Sequence, residues 1–540
     1  MPSLRVSRAW IAAFALIAAL FVSACGSDGG GGDTSSTGDG GGKQTAASFT
    51  FALPAAPTSL DIARNYDTVI MQVMSLATEP LERLTQSGEL EPNLAASVSE
   101  PDDRTIVYEL RPDAKFSDGT PVTAEDVAWS IEHTFARGTQ TATQTVTSIA
   151  SVRAGENEVT VNLRRPDPTT RQNIAFLAFI EQRRFAEAHP KDLGSPGAEP
   201  IGTGPYKVAS NTPDAITLER NQYYWGTAPV ADRISFTFIP TDPTAQLAMR
   251  SGEIQGALVQ DLKTGPAWEA IDGTKLESLP SLTSIYVSLD VANPPFDDVH
   301  LRRAIAYSID RENLATDLYG ENAILLRSLL PAGAFSYVAG GTDEAQAFLD
   351  SLPQYEFDLD KARAELAQSR YARGLSFELT YITGAGWSKL TALNLEQNLK
   401  QIGVDVKLRA VSQTQWGTTI VQHRDLGMQL MEGFSAPPDP NGGLVLVIGR
   451  ETAVENSYNT SNWTTPDVET ARDTLINGTD RAARYEATKR VLSDIQDQLP
   501  YIPLYSPELV IALGGGFGFD EVPTQLDLTS GAWVTKLTSS

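Results

Sequence analysis

Residues 115–131 read K-F-S-D-G-T-P-V-T-A-E-D-V-A-W-S-I, and their reading decides the fold. Asp118-Gly119 is a tight-turn dipeptide. Thr123 stands where a helix N-cap stands, with Asp126 three residues on, close to a capping box. Val127, Ile131 and Phe135 then recur every fourth residue, the spacing of one buried helix face. Upstream, Ile106 to Leu110 alternates as a half-buried strand does, and Ser87-Gly88-Glu89 punctuates two apolar runs as a turn. A strand, a turn and an amphipathic helix are therefore specified locally.

Working outward, other segments show the same layering. Phe49 to Leu53 is an apolar run leaving into Pro54 and Pro57, which fits a first strand. Val69, Val73 and Leu76 have helical spacing, and Glu158 to Leu163 is a strand candidate. Pro200-Ile201-Gly202-Thr203-Gly204-Pro205-Tyr206 carries two glycines that would allow a turn with positive φ. A strand is expected over Ser284–Leu289, and Asp298 and Asp310 are expected to cap the two helices that follow. Leu395, Leu399 and Ile402 share a helix face that ends at Gly403, and Val404, Val406 and Leu408 alternate as the next strand. Helix, glycine and strand in succession indicate an α/β protein.

These blocks also carry a resemblance. The stretch 115–131, P-I-G-T-G-P-Y at 200–206, R-S-G-E-I at 250–254, D-V-H-L-R-R-A-I-A-Y-S-I-D-R-E-N-L at 298–314 and Y-I-P-L-Y at 501–505 resemble, in order, the extracellular solute-binding proteins of family 5. These are the oligopeptide-, dipeptide- and nickel-binding lipoproteins of ABC importers. The resemblance implies a two-lobed periplasmic-binding-protein fold (type II, cluster C) with an extra domain inserted in the first lobe. It places lobe I at 48–85, 195–289 and 501–540, the inserted domain at 86–194, and lobe II at 290–500.

The N-terminus reads as a targeting segment over residues 1–24. Arg5 and Arg8 precede an apolar run, and small residues precede Cys25. Val22-Ser23-Ala24-Cys25 resembles a bacterial lipoprotein box, which makes Cys25 the lipidation site. Cys25 is the sole cysteine, so no internal disulfide can form. The rest of 25–47 is a Gly/Ser-rich tether, whose random-coil span is roughly 25 Å. The expected location is extracytoplasmic, anchored to the cell membrane by lipid alone. The 540 residues are too many for one core. An excess of 67 acidic over 42 basic residues, net −25, argues against nucleic acid and anionic membrane surfaces as direct partners.

Enzyme chemistry finds no support in the residues. His133, His189, His300 and His423 are scattered, without metal-ligand spacing. There is no G-x-S-x-G elbow and no phosphate-binding glycine loop. No cofactor, metal site or catalytic residue is expected. Peptide capture needs only main-chain hydrogen bonding and roomy aromatic walls. The candidate walls are Tyr66, Tyr286, Trp387, Trp416, Phe434 and Trp463, each of which could equally be core.

One departure from the family matters. Its peptide binders commonly carry W-x-x-D-Y-x-D-P, whose first aspartate pairs with the ligand's α-amino group. Here Gly433-Phe434-Ser435-Ala436-Pro437-Pro438-Asp439-Pro440 keeps Asp439-Pro440 but has Ala436 in place of that aspartate and Gly433 in place of the tryptophan. A blocked, cyclic or modified peptide, or another solute, is therefore expected. The reading is an importer receptor, monomeric, that passes a peptide-like solute to a membrane permease. A ligand-sensing envelope receptor, or a receptor for a metal chelate, are the alternatives.

Overall fold

The computed structural model describes residues 47–64, 67–137, 139–143 and 148–539. Two large sheets carry the architecture. The first has seven strands in the order Lys275–Leu279, Leu509–Leu513, Gly256–Leu258, Ala47–Leu53, Ala231–Phe238, Ala215–Arg220, Tyr206–Asn211. Its centre is parallel, with Phe49 opposite Ile234 and Phe51 opposite Phe236. Phe49, Phe51 and Phe236 point into a core completed by Trp533 from the C-terminal segment. Each such ring contributes about 1.5–3 kcal/mol on burial.

The second sheet has six strands, in the order Ala323–Leu325, Tyr501–Pro507, Thr283–Leu289, Met428–Phe434, Ser376–Ile382, Asp405–Val411. Ser376–Ile382 and Asp405–Val411 are parallel and joined by the helix Gly386–Gln401, which buries Leu395 and Leu399 against the sheet. That helix ends at Ile402, and Gly403 follows at φ 88°. Asp298 Oδ1 accepts from the amides of His300 and Leu301 to start the helix Val299–Tyr307.

The deciding stretch builds a third body. Its four strands lie in the order Ala95–Asp102, Thr105–Leu110, Glu158–Leu163, Ile149–Ala154, under the helix Ala124–Thr134. The expected cap is a full capping box: Thr123 Oγ accepts from the Asp126 amide and Asp126 Oδ2 from the Thr123 amide. Val127 and Ile131 then meet Tyr108, Phe116, Val159 and Val161 in a separate core.

Two expectations differ from the structure. Thr283–Leu289 and Tyr501–Pro507, assigned from sequence to lobe I, pair with each other and belong to the second sheet. Both passages between sheets are short, Pro280–Leu282 in one direction and Glu508 in the other. Family blocks mark strands and say nothing of which sheet a strand joins, so the sequence does not reveal this boundary. Likewise Gly202 and Gly204 do not have positive φ. They are small because a Cβ would lie 2.2 Å from Ala77 O and 2.4 Å from Leu76 O, so that the two backbones can touch.

Candidate functional site

The two sheets face each other across a cleft of about 410 Å³ beside their passages. From the first sheet's side come Thr68 and Gln72 of the helix Thr68–Met74, Leu258, Leu509, and Gln525 and Thr529 of the helix Gln525–Ser530. The opposite wall is Thr283, Ile382, Trp387, Gln413, Trp416 and Glu432. A second cavity of about 310 Å³ shares Trp416 and Glu432 with the first and runs on past Ser284, Tyr286, Gly433 and Ala436.

Local sequence fixes these side chains. Ser412 and Gln415 form a capping box that starts the helix Gln413–Gln422 and sets Trp416 in its first turn. Ser388 Oγ accepts from the Ile382 amide at 3.0 Å, tying the strand end to the helix start that carries Trp387. Gln525 grips the passage itself: its Oε1 accepts from the Leu282 amide at 2.9 Å and its own amide donates to Pro280 O. Ser281 Oγ donates to Pro507 O at 2.7 Å, tying one passage to the strand end that leads into the other.

Of the residues expected to form the site, Trp387, Trp416 and Tyr286 line these cavities. Tyr286 is buried, packs edge-on against Tyr501 at 5.5 Å, and its phenol is pushed well above its ordinary value by burial. Gly433 stands beside it, where a Cβ would sit 3.3 Å from the Tyr286 ring. Trp463 lines neither cavity; it is buried in the main core, its carbonyl held by Asn459 Nδ2 at 3.1 Å. Phe434 is the end of its strand, opposite Thr283, and its side chain lies outside the described residues. Tyr66 and Cys25 also lie outside them.

Asp439 is committed elsewhere. It is fully buried, ion-paired to the equally buried Arg484, and caps the Asn441 amide at 2.9 Å. It is a counter-charge inside the protein and lines neither cavity. Ala436 lines the second cavity and brings no charge to it.

Sequence reading missed Glu432. Its strand runs M-Q-L-M-E-G-F, and Glu432 shares a face with the buried Met428 and Leu430. A charge at the third position of an apolar face was the available signal. The carboxylate is open to the cleft yet walled by protein, and this desolvation raises its pKa. Among the described residues it has no ion-pair partner. Ser284 Oγ and Trp416 Nε1 are buried and, among the described residues, have no hydrogen-bond partner. The four histidines are occupied away from the cleft: His133 with Asp61, His189 with Asp192, His300 with Glu365 and His423 with Asn462.

Two sheets joined by two short passages around a cleft with side chains from both define a two-lobed solute-binding protein. The model of the bacterial extracellular solute-binding proteins, family 5 (middle region), matches residues 89–451. The chain belongs to this family, whose members are substrate-binding transport proteins. It is 24% identical over 530 residues to the oligopeptide-binding protein OppA of Bacillus subtilis, covering 93% of this chain and 94% of the relative. Among solved structures it resembles the ABC transporter substrate binding protein CtaP of Listeria monocytogenes, with a TM-score of 0.77 at 20% identity over 92% of this chain and 99% of that one. NikA of Brucella suis in complex with Fe(III)-EDTA gives a TM-score of 0.77 at 21% identity over 92% of this chain and all of that one.

Proposed function

We propose that this chain is the extracytoplasmic receptor of an ABC importer, which closes its two lobes on a peptide or peptide-like solute and delivers it to a membrane permease. The observation that carries the reading is the cleft: both lobes wall it, and the passages between them are short enough to act as a hinge. OppA is named for oligopeptide binding, which supports a peptide-like solute. The protein does no chemistry on its ligand. It works as a monomer, held to the membrane by lipid on Cys25. Among the described residues no helix is long and apolar enough to cross a membrane.

Two measurements test this. Cells lacking the chain should lose uptake of the solute it binds, and regain it with the intact protein. Uptake that persists undiminished would remove the importer role. Cys25→Ala should move the protein from the membrane fraction to the soluble one without changing solute affinity. A variant that still pellets with membranes would remove the lipid anchor.

A further inference from the structure

The geometry points to a cationic solute: Glu432 is the counter-charge for an ammonium or guanidinium group of the ligand, which is seated between Trp416 and the strand end Glu432-Gly433. The inference rests on the receptor reading above and names the ligand's chemistry.

Of all described residues lining the two cavities, Glu432 alone carries a formal charge. No lysine, arginine or histidine lines either, so a ligand carboxylate or phosphate would be desolvated there without a counter-ion. Burying an unpaired charge is strongly unfavourable, and an anionic solute is selected against on that ground alone. For a cation the same walls are favourable. Glu432 borders both cavities and therefore lies where they meet. Its carboxylate has no ion pair among the described residues, so the protein has left it uncommitted where it committed Asp439 to Arg484. The indole of Trp416 borders both cavities too, and an aromatic face beside a carboxylate is suited to a cation.

Two further groups extend the description. Trp416 Nε1 can only donate, so it asks for an acceptor such as a carbonyl; Ser284 Oγ, buried in the second cavity's wall, can take either role. Glu432 and Ile285 lie on one face of their paired strands and Ser284 and Tyr286 on the other, so a cationic group next to a carbonyl satisfies Glu432 and Trp416 from the first cavity. Ala436 therefore does not leave the cleft without an acid. The acid stands earlier on the same segment, at the end of the strand Met428–Phe434.

The test uses the mature chain and a pool of short peptides with uncharged side chains, prepared in three forms. The first has a free amine and an amidated C-terminus, the second is acetylated and amidated, and the third is acetylated with a free C-terminal acid. Affinity is read by titration calorimetry for the wild type, Glu432→Gln and Glu432→Asp. The free-amine pool should bind about ten- to a hundredfold tighter than the neutral pool. Glu432→Gln should erase that preference, bringing the free-amine and neutral pools to equal affinity, while Glu432→Asp retains most of it. Equal or tighter binding of the neutral or acidic pool, or a preference that survives Glu432→Gln, would overturn the inference while leaving the receptor reading intact. If none of the three pools bound the wild type, the peptide-receptor reading itself would fail and the inference with it.

Discussion

At the scale of single residues, the cleft and the core use acids in opposite ways. Asp439 and Arg484 are both buried and paired, so removing one partner leaves a charge without compensation. Asp439→Ala should cost about 3–5 kcal/mol in chemical denaturation. Glu432 has no ion-pair partner among the described residues, and its raised pKa means that the folded protein disfavours its ionised form. The sign follows: above that raised pKa the charge weakens the folded state, and the penalty fades as pH falls toward the ordinary 4.5. Ligand-free Glu432→Gln should therefore melt higher than wild type at mildly alkaline pH, with the gap closing on acidification. The titratable neighbours are the phenols of Tyr319 and Tyr505, both pushed up by burial and neutral throughout that window. A gap that widened on acidification would contradict the assignment.

At the scale of elements, the sequence was most legible where a rule acts over a few residues. The capping box at Thr123, the Asp298 and Asp310 caps and the Gly403 stop each depend on neighbours within one turn. The glycines at 202 and 204 were found but misread, because their reason is the backbone at Leu76 and Ala77, far away in sequence. Gly204→Ala should force that backbone contact apart and lower stability by about 1–3 kcal/mol or more, measured by denaturant midpoint. The passage between lobes has the same non-local character. Gln525 holds the Leu282 amide from a helix that begins far along the chain. Gln525→Ala should leave that amide without its partner, costing about 1–3 kcal/mol in denaturation. It should also shift the balance of open and closed forms seen by small-angle scattering. Unchanged stability would mean that water replaces the glutamine at no cost.

At the scale of the whole molecule, order along the chain does not reveal which strands meet. Thr283–Leu289 and Tyr501–Pro507 look like any other buried strands, yet their pairing sets where one lobe ends. The site shows the same limit. Aromatic candidates could be named from residue type, but whether Trp416 faces a cleft and Trp463 a core depends on the packing of both lobes. Glu432 acquires meaning only once every other described residue lining the cavities is known to be uncharged. Closure is the functional consequence of this architecture. A ligand that bridges Trp416 on one wall and Gln72 on the other favours the form in which the walls approach, and binding should reduce the radius of gyration.

The central claim, that the cleft captures a solute, is tested most directly by native mass spectrometry of the mature protein purified gently from a cell envelope. The mass should exceed that of the denatured chain by one defined, positively charged, peptide-like ligand, and the excess should vanish for Glu432→Gln. A ligand that is an acid, or that stays bound in the variant, would contradict the assignment of Glu432. Protein that carries no ligand from the envelope, and takes none up when returned to a cell extract, would contradict the claim of capture itself.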